Sequence, residues 1–192
     1  MSRIHGDKKI IRRINVKKKT KYRDYLNELK ADFQDICGYC GKPTSVTKNT
    51  FEIDHFVPQK IDKDRVNDYT NLVYSCFQCN RKKSRKWPTG DANIPNDGKV
   101  GFVDPASQEF DKHLERLPNG KIIGKTEVGN YMIKAFAFDK RPMCELWKLT
   151  LLLNKRDKLL NTELADSDTM QCLKNVVDKI DNLFDYMFDC KE

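Results

Sequence analysis

Four of the seven cysteines stand in two Cys-x-x-Cys pairs, Cys37/Cys40 and Cys76/Cys79, with 35 residues between the pairs. Two intervening residues let both sulfurs of one turn face the same ion, and four thiolates arranged as a tetrahedron suit zinc. The alternative is a redox pair or an iron–sulfur cluster, but neither pair lies in a thioredoxin-like βαβ pattern. The spacing therefore predicts a structural zinc site.

The interval between the two pairs is longer than in a simple zinc ribbon, so other residues must fill it. It contains Asp54 and His55 shortly before Pro58, then Asn71, and Asn80 comes directly after Cys79, the last of the four paired cysteines. Each of these side chains has an ordinary structural explanation on its own, since Asp and Asn commonly cap turns and a histidine can be a satisfied surface residue. Their shared place inside one zinc frame favours a joint chemical role.

The order of these residues resembles a known family. Asp-His-x-x-Pro, then Asn-Leu-Val, then Cys-x-x-Cys-Asn-x-x-Lys, between about residues 37 and 84, is similar to the HNH endonucleases with a four-cysteine zinc site. The resemblance implies a ββα-metal (His-Me finger) nuclease core and hydrolysis of phosphodiester bonds in DNA. The last position of the motif is Asn80 in place of His, as in many family members. An amide there favours a hard catalytic ion, magnesium or manganese.

The chemistry of phosphodiester hydrolysis suggests a role for each residue. His55 is the candidate general base, because its usual pKa of about 6.5 suits proton transfer near neutral pH. Asp54 and Asn80 offer oxygen ligands for one divalent ion at the scissile phosphate. Asn71, by resemblance, hydrogen-bonds across the hairpin and orients His55. Neighbouring residues of a regular strand face opposite sides, so a bend is expected between Asp54 and His55.

Positive charge is concentrated in the front of the chain. The formal net charge is +8; residues 1–90 carry 21 Lys and Arg against 10 Asp and Glu, hence +11, and residues 91–192 carry 15 against 18, hence −3. This imbalance fits a nucleic-acid partner, although a solvated basic surface is the plainer explanation. Phosphate contacts that read no sequence are expected from Arg81, Lys82, Lys83, Arg85 and Lys86. The basic residues between Lys8 and Lys19 would extend the same track as an arm or a strand.

Apolar periodicity predicts an α+β fold in two parts. An HNH nuclease domain with a basic N-terminal arm is expected over residues 1–92, and a mostly helical region over residues 93–192, joined through turn-rich residues 88–100. The predicted elements are a helix over 20–36, strands over 51–57 and 71–75, a helix over 79–86, a hairpin at Asn119-Gly120, and helices over 131–138, 143–160 and 169–188.

The C-terminal helices carry apolar stripes that are typical of a core, a dimer face or a docking surface for a partner. Asp104-Pro105, His113, Gly120 and Arg156 loosely resemble HNH proteins that are encoded with ATPases in bacterial defence systems. That resemblance implies an anti-phage effector with an ATPase partner. The alternative functions are a non-catalytic zinc module that binds nucleic acid, or a partner-scaffold subunit.

The remaining candidates are assigned ordinary roles. His5 is given none, because it lies in the basic arm, and Trp87 is expected to pack against the domain. Cys144, Cys172 and Cys190 are expected to be small buried hydrophobes. No apolar run is long enough to span a bilayer and no signal peptide is recognisable, so a cytoplasmic location is expected.

Overall fold

The computed structural model describes residues 3–46, 51–161 and 167–188 of the chain. Within these ranges the chain is a mixture of short antiparallel hairpins and helices, which confirms the predicted α+β class. The elements are a 3-10 turn at Tyr22–Tyr25, α1 Leu26–Asp32, β1 Phe51–His55, a 3-10 turn at Tyr69–Asn71, β2 Leu72–Cys76, α2 Phe77–Lys83, α3 Phe110–His113, β3 Leu114–Arg116, β4 Ile122–Gly124, α4 Glu127–Phe136, a 3-10 turn at Phe138–Lys140, α5 Met143–Leu160 and α6 Ser167–Phe188.

The centre of the molecule is the hairpin of β1 and β2 with α2 after it. The two strands are antiparallel, and His55 faces Leu72 across the ladder. Every residue of β2 is buried, so this strand is covered on both faces. Helix α2 begins at the residue after β2 ends, which brings its first turn beside the strand pair. The predicted ββα unit is therefore present; β1 begins at residue 51 as predicted, and the other boundaries are moved by one to three residues.

The predicted helix over 20–36 is broken. A 3-10 turn precedes α1, which ends after Asp32 because Gln34 and Asp35 adopt the left-handed backbone region, with φ of 51° and 58°. The amide of Asp35 donates to the carbonyl of Lys30, which satisfies a helix-end carbonyl that would otherwise lack a partner. The chain continues from this turn directly to Cys37.

The basic N-terminal segment is neither a strand nor a free arm, which corrects that prediction. Ile4 and Ile10 are buried in the main core. Arg12 donates to the carbonyl of Leu72 at 2.9 Å and pairs with Asp104. The segment is held against the fold because its apolar residues enter the core and much of its charge has an internal partner.

A single apolar cluster runs from the N-terminal segment to Met143. Trp87 lies in it, edge-on to Phe56 and stacked on Phe102, which confirms the predicted packing role. The turn-rich residues 88–100 also lie against the fold, for example through Arg65. The boundary at residue 92 stays a prediction, but apolar packing crosses it.

The back of the chain follows its predicted pattern, except that the helix predicted over 131–138 is α4, Glu127–Phe136, which begins and ends earlier. Gly120 adopts φ of +94° in the turn between β3 and β4, which confirms the Asn-Gly hairpin. Helix α5 has its predicted bounds, and α6 packs on it through a second small core of Leu149, Leu153, Val176 and Ile180. No helix in the described parts of the chain is both long and apolar enough to cross a membrane.

The three scattered cysteines do not follow their prediction. Cys144 and Cys172 are half-buried and lie outside both apolar cores, so they are not the core residues that were expected. Cys190 lies outside the described residues.

Candidate functional site

The four paired cysteines meet in one buried cluster. Their sulfurs all lie within 4.8 Å of one another. The first pair sits in a turn that is closed by the amide of Gly41 on the carbonyl of Cys37, at 2.8 Å. The turn presses on the core: a Cβ at Gly38 would lie 2.6 Å from the ring of Phe33, so only glycine fits there. The end of β2 and the first turn of α2 supply the second pair.

The chemistry of this cluster fits a structural metal. Within the described residues it is the one group of three or more Cys, His, Asp or Glu side chains placed to share an ion. A zinc ion with four thiolates carries a net charge of about −2, which needs nearby cations when it is buried. Arg141 Nη1 lies 3.3 Å from Cys79 Sγ, and Arg116 donates to the carbonyl of Cys40 at 2.6 Å. The cluster is therefore positioned to bind a metal, and its donors suit zinc.

Arg116 is a residue that sequence reasoning missed. It is 2% exposed, and its three nitrogens donate to the carbonyls of Ile4, Gly120 and Cys40, while its guanidinium lies 4.4 Å from the Trp147 ring centre. Burial lowers its pKa to about 10. No sequence motif marks it, because two of its three partners, Ile4 and Cys40, are far away along the chain.

His5 also has a structural role, which corrects its assignment to a free arm. Its ring is 5% exposed, stacks on Phe110, and its Nε2 lies 2.6 Å from the carbonyl of Gly38. Burial lowers the pKa of His5 to about 4, so the ring is neutral near pH 7 and donates this bond from Nε2. His5 thereby supports the cysteine turn from outside.

His55 closes strand β1 with its ring held in one orientation. Its Nε2 lies 2.9 Å from the carbonyl of Val66, so a neutral ring carries its proton on Nε2 and keeps a lone pair on Nδ1. The exposed Gln59 amide donates to that Nδ1 at 3.1 Å. The edge of Tyr22 packs on the ring at 4.7 Å between centroids. Burial, the largest influence, lowers the pKa of His55, which favours the neutral form that a general base requires.

Asp54 precedes His55 and is 5% exposed. Its Oδ2 accepts from the hydroxyl of Tyr39 at 2.6 Å and from Lys83 Nζ at 3.0 Å. Because both donors bond the same oxygen, Oδ1 is left for another partner. The expected bend between Asp54 and His55 is wrong: both pair regularly with β2, and the chain bends only after His55. The two side chains nevertheless line the same cleft.

Lys83 corrects another prediction, since it is not placed to contact a phosphate. Its side chain is fully buried, pairs with Asp54 and donates to the carbonyl of His55 at 2.7 Å. The seven-residue helix α2 turns this position inward while Arg81 and Lys82 point outward. The run of basic residues in the sequence does not show which of them are buried and which are exposed.

Asn71 acts on the backbone around His55 instead of on its ring. Its Oδ1 accepts from the amide of Val57 at 2.7 Å, and its Nδ2 donates to the carbonyls of Val57 and Arg65. The carbonyl of Val66, next in the chain, is the one that holds His55 Nε2. Asn71 thus hydrogen-bonds across the hairpin, and its contact with His55 runs through the loop whose Val66 carbonyl holds the ring.

Asn80 lies on α2 beside the same cleft and donates from Nδ2 to Glu52 Oε2. This bond turns the amide so that its Oδ1 faces away from Glu52. Glu52 is a second residue that sequence reasoning missed, although its position two residues before Asp54 places both on one face of β1.

The cleft has a volume of about 650 Å³ and a cationic rim. Arg23, Lys60, Arg81 and Arg85 line it, and none of the ion pairs among the described residues involves these four. Lys82 and Lys86 are exposed on the same helical segment but do not line the cleft; Lys86 donates to the carbonyl of Ala135. Of the five predicted phosphate contacts, Arg81 and Arg85 thus line the cleft, Lys82 and Lys86 lie beside it, and Lys83 is buried.

The residues of the looser resemblance have separate partners. Asp104 pairs with Arg12, His113 Nδ1 lies 2.7 Å from the Thr126 hydroxyl, and the exposed side chain of Arg156 pairs with its neighbour Asp157. They do not share a hydrogen bond or an ion pair within the described part of the chain.

Comparison with known proteins agrees with the geometry of the hairpin and helix. Residues 37–86 match the model of the HNH endonuclease family. No curated protein and no solved structure matches the chain. The matched segment begins at Cys37, ends just after α2, and contains all four cysteines and the cleft-lining pair Asp54 and His55. Residues 37–86, which form the cysteine cluster, the hairpin and α2, are thus similar to the HNH endonuclease family.

Proposed function

We propose that the chain is a metal-dependent endonuclease that hydrolyses phosphodiester bonds in DNA. The observation that carries the proposal is the convergence of His55, Asp54 and Asn80 on one cation-rimmed cleft. In this arrangement the unprotonated Nδ1 of His55 takes a proton from the attacking water, after the exposed Gln59 side chain has moved aside. The carbonyl of Val66 holds Nε2 throughout, so the ring keeps its orientation.

The oxygens that remain at the site fit a hard divalent ion. Oδ1 of Asp54 and Oδ1 of Asn80 would hold magnesium or manganese, because each side chain uses its other polar atom for an internal bond. Such an ion, when bound, supplies charge neutralisation at the phosphate and the leaving oxygen. Asn71 fixes the loop after β1, and Arg81 and Arg85 bind flanking phosphates. The cysteine cluster is proposed to hold zinc with a structural role.

Cleavage of plasmid DNA tests this function. Wild type, His55→Ala and the control His113→Ala are compared with magnesium or manganese, at equal zinc content. His113 is a matched control because it is also a partly buried histidine, hydrogen-bonded to Thr126 and outside the cleft. We expect a loss of about 10²–10⁴-fold for His55→Ala alone. Single-stranded DNA and RNA in parallel reactions identify the preferred substrate.

The competing class is a zinc module that binds nucleic acid without cutting it. It would need the cysteine cluster and the cationic rim but neither the buried Asp54 nor the oriented ring of His55. Tight binding of DNA by the wild type without cleavage, with either metal and with co-purified partners present, would favour that class and contradict the enzyme.

We extend the proposal to a cytoplasmic role in defence against phage, with an ATPase partner. Its support is the resemblance around Asp104, His113 and Arg156, to which the geometry adds nothing. Plating of phage on cells that carry the wild type or His55→Ala tests the role, and co-purification tests the partner. Equal plating would contradict the defence role and leave the nuclease activity untouched.

The C-terminal helices are proposed as a dimer face or docking surface. Light scattering of the purified chain, with and without co-purified proteins, tests this. A monomer with no retained partner would contradict it.

A further inference from the structure

Tyr39 links the cysteine cluster to the cleft. It stands between the two ligands of the first pair, in Cys37-Gly38-Tyr39-Cys40, and its side chain is fully buried. Its ring packs on Phe136, with 4.7 Å between centroids. Its hydroxyl donates to Oδ2 of Asp54 at 2.6 Å, although the two residues are 15 positions apart.

We propose that Tyr39 is a positioning residue through which the metal-bound cysteine turn fixes the carboxylate of Asp54. The inference rests on the proposed function, since it concerns the site at which Asp54 would hold a divalent ion. It assigns the cysteine cluster a direct effect on the cleft, beyond general support of the fold.

The carboxylate is held by two donors on one oxygen. Lys83 Nζ binds Oδ2 from α2, and Tyr39 binds it from the cysteine turn, so rotation of the carboxylate would break two buried bonds. An unmade buried hydrogen bond to a charged group is costly, which confines Asp54 to the observed rotamer. Oδ1 is thereby presented in a single direction.

The position of the hydroxyl depends in turn on the cysteines. Tyr39 is one residue from Cys40 and two from Cys37, so a metal that fixes both sulfurs also fixes the backbone that carries the ring. The amide of Gly38 docks the same turn on the carbonyl of Tyr74, in the strand that pairs with β1. The turn and the strand of Asp54 therefore move as one unit while the cluster is intact.

The expected effect is that of removing a partner that orients a metal ligand. Such substitutions typically weaken metal affinity by about 10–100-fold. Tyr39→Phe removes only the hydroxyl and keeps the ring that packs on Phe136. Lys83 still contacts Asp54 in this variant, so we expect the lower end of that range.

Tyr69→Phe is a matched control. The hydroxyl of Tyr69 donates to Oδ2 of the buried Asp32, also at 2.6 Å, so the same kind of bond is lost. Tyr69 and Asp32 do not line the cleft. A general loss of stability would thus affect both variants, whereas a positioning effect would affect Tyr39→Phe alone.

The experiment is a manganese titration of the full-length, zinc-loaded protein, followed by electron paramagnetic resonance of free Mn²⁺, with zinc content measured for each variant. We expect Tyr39→Phe to weaken Mn²⁺ binding by about ten-fold, and Tyr69→Phe to match the wild type, at equal zinc. Binding to Tyr39→Phe as tight as to the wild type overturns the inference and leaves the proposed function intact. A wild type that neither binds Mn²⁺ nor cleaves DNA overturns both.

If the Tyr39→Phe protein does not retain its zinc, a second measurement on protein with Tyr39 intact tests the inference. This measurement uses the Tyr22→Phe variant, which keeps Tyr39 and lacks the tyrosine packed on His55. The variant is titrated with Mg²⁺, and the ultraviolet difference absorbance of its tyrosines is recorded. An ion at Asp54 draws charge from the carboxylate that Tyr39 contacts, so a saturable change with the midpoint of Mg²⁺ binding is expected. A flat signal at saturating Mg²⁺ overturns the inference.

Discussion

Replacement of Lys83 by Met distinguishes a buried ion pair from a phosphate contact. The Lys83 side chain is 0% exposed and that of Asp54 is 6% exposed, with 3.0 Å between Nζ and Oδ2. Met fills a similar volume but leaves Asp54 as a buried charge without its cation and the carbonyl of His55 without its donor. Removal of one partner from a buried pair costs about 3–5 kcal/mol. Because Tyr39 still supports Asp54, we expect about 3 kcal/mol.

The assay is urea unfolding of zinc-saturated protein, with DNA binding measured on the same samples. Lys82→Met is the control, since Lys82 precedes Lys83 on α2 and is exposed. We expect the control to change the free energy of unfolding by less than about 0.5 kcal/mol. Asp54→Asn combined with Lys83→Met should recover about 1–2 kcal/mol of the loss, because no unpaired charge then remains.

A free energy of unfolding for Lys83→Met within about 1 kcal/mol of the wild type would refute this reasoning. If such a variant also bound DNA more weakly, with a reduced salt dependence, Lys83 would be the phosphate contact that its place in the basic run predicts. No recovery in the double variant would show that the destabilisation does not come from the unpaired carboxylate.

Three further predictions concern the cleft and the cysteine cluster. Arg85→Ala should reduce the slope of log affinity for DNA against log salt by about 0.9, measured by fluorescence anisotropy, if Arg85 binds one phosphate; an unchanged slope would contradict that contact. The acid limb of the pH–rate profile should lie below about pH 6.5, because burial lowers the pKa of His55 and the neutral ring is the active form; a limb at higher pH would argue against His55 as the base. Removal of the cysteine-bound metal with a chelator should lower the thermal unfolding midpoint and abolish cleavage, and only zinc followed by magnesium should restore both; recovery with magnesium alone would contradict a structural zinc.

The paired cysteines and the cleft residues were predicted from the sequence more accurately than any other part of the chain. A Cys-x-x-Cys turn is set by four consecutive residues, and the alternation of side chains along β1 is equally local. Cys37, Cys40, Cys76 and Cys79 therefore meet as their spacing predicts, and His55 and Asn80 line one cleft. The spacing did not predict the individual partners in the same region: Asn71, for example, bonds the backbone of Val57 and Arg65 in the loop after β1.

The partners of the residues in the long basic runs were the hardest feature to predict from the sequence. A lysine or arginine has the same appearance in the sequence whether it faces water, a phosphate or a buried carboxylate. Arg12 pairs with Asp104, which is 92 positions away, and Arg116 donates to Cys40 across 76 positions. Apolar periodicity does not record such pairs, so it did not predict that the basic N-terminal segment is anchored to the core through Ile4 and Ile10.

The sequence by itself determined the four-cysteine cluster, the order of the ββα elements and the excess of positive charge in the front of the chain. Residue type and short spacing specify each of them. Only the tertiary structure decided which oxygen of Asp54 is engaged, that Lys83 points inward, and that Tyr39 joins the cysteine turn to the cleft. These outcomes depend on which distant groups share a buried space. Burial raises the cost of an unpaired charge or hydroxyl, so packing selects the partners, and the order of residues along the chain does not state them.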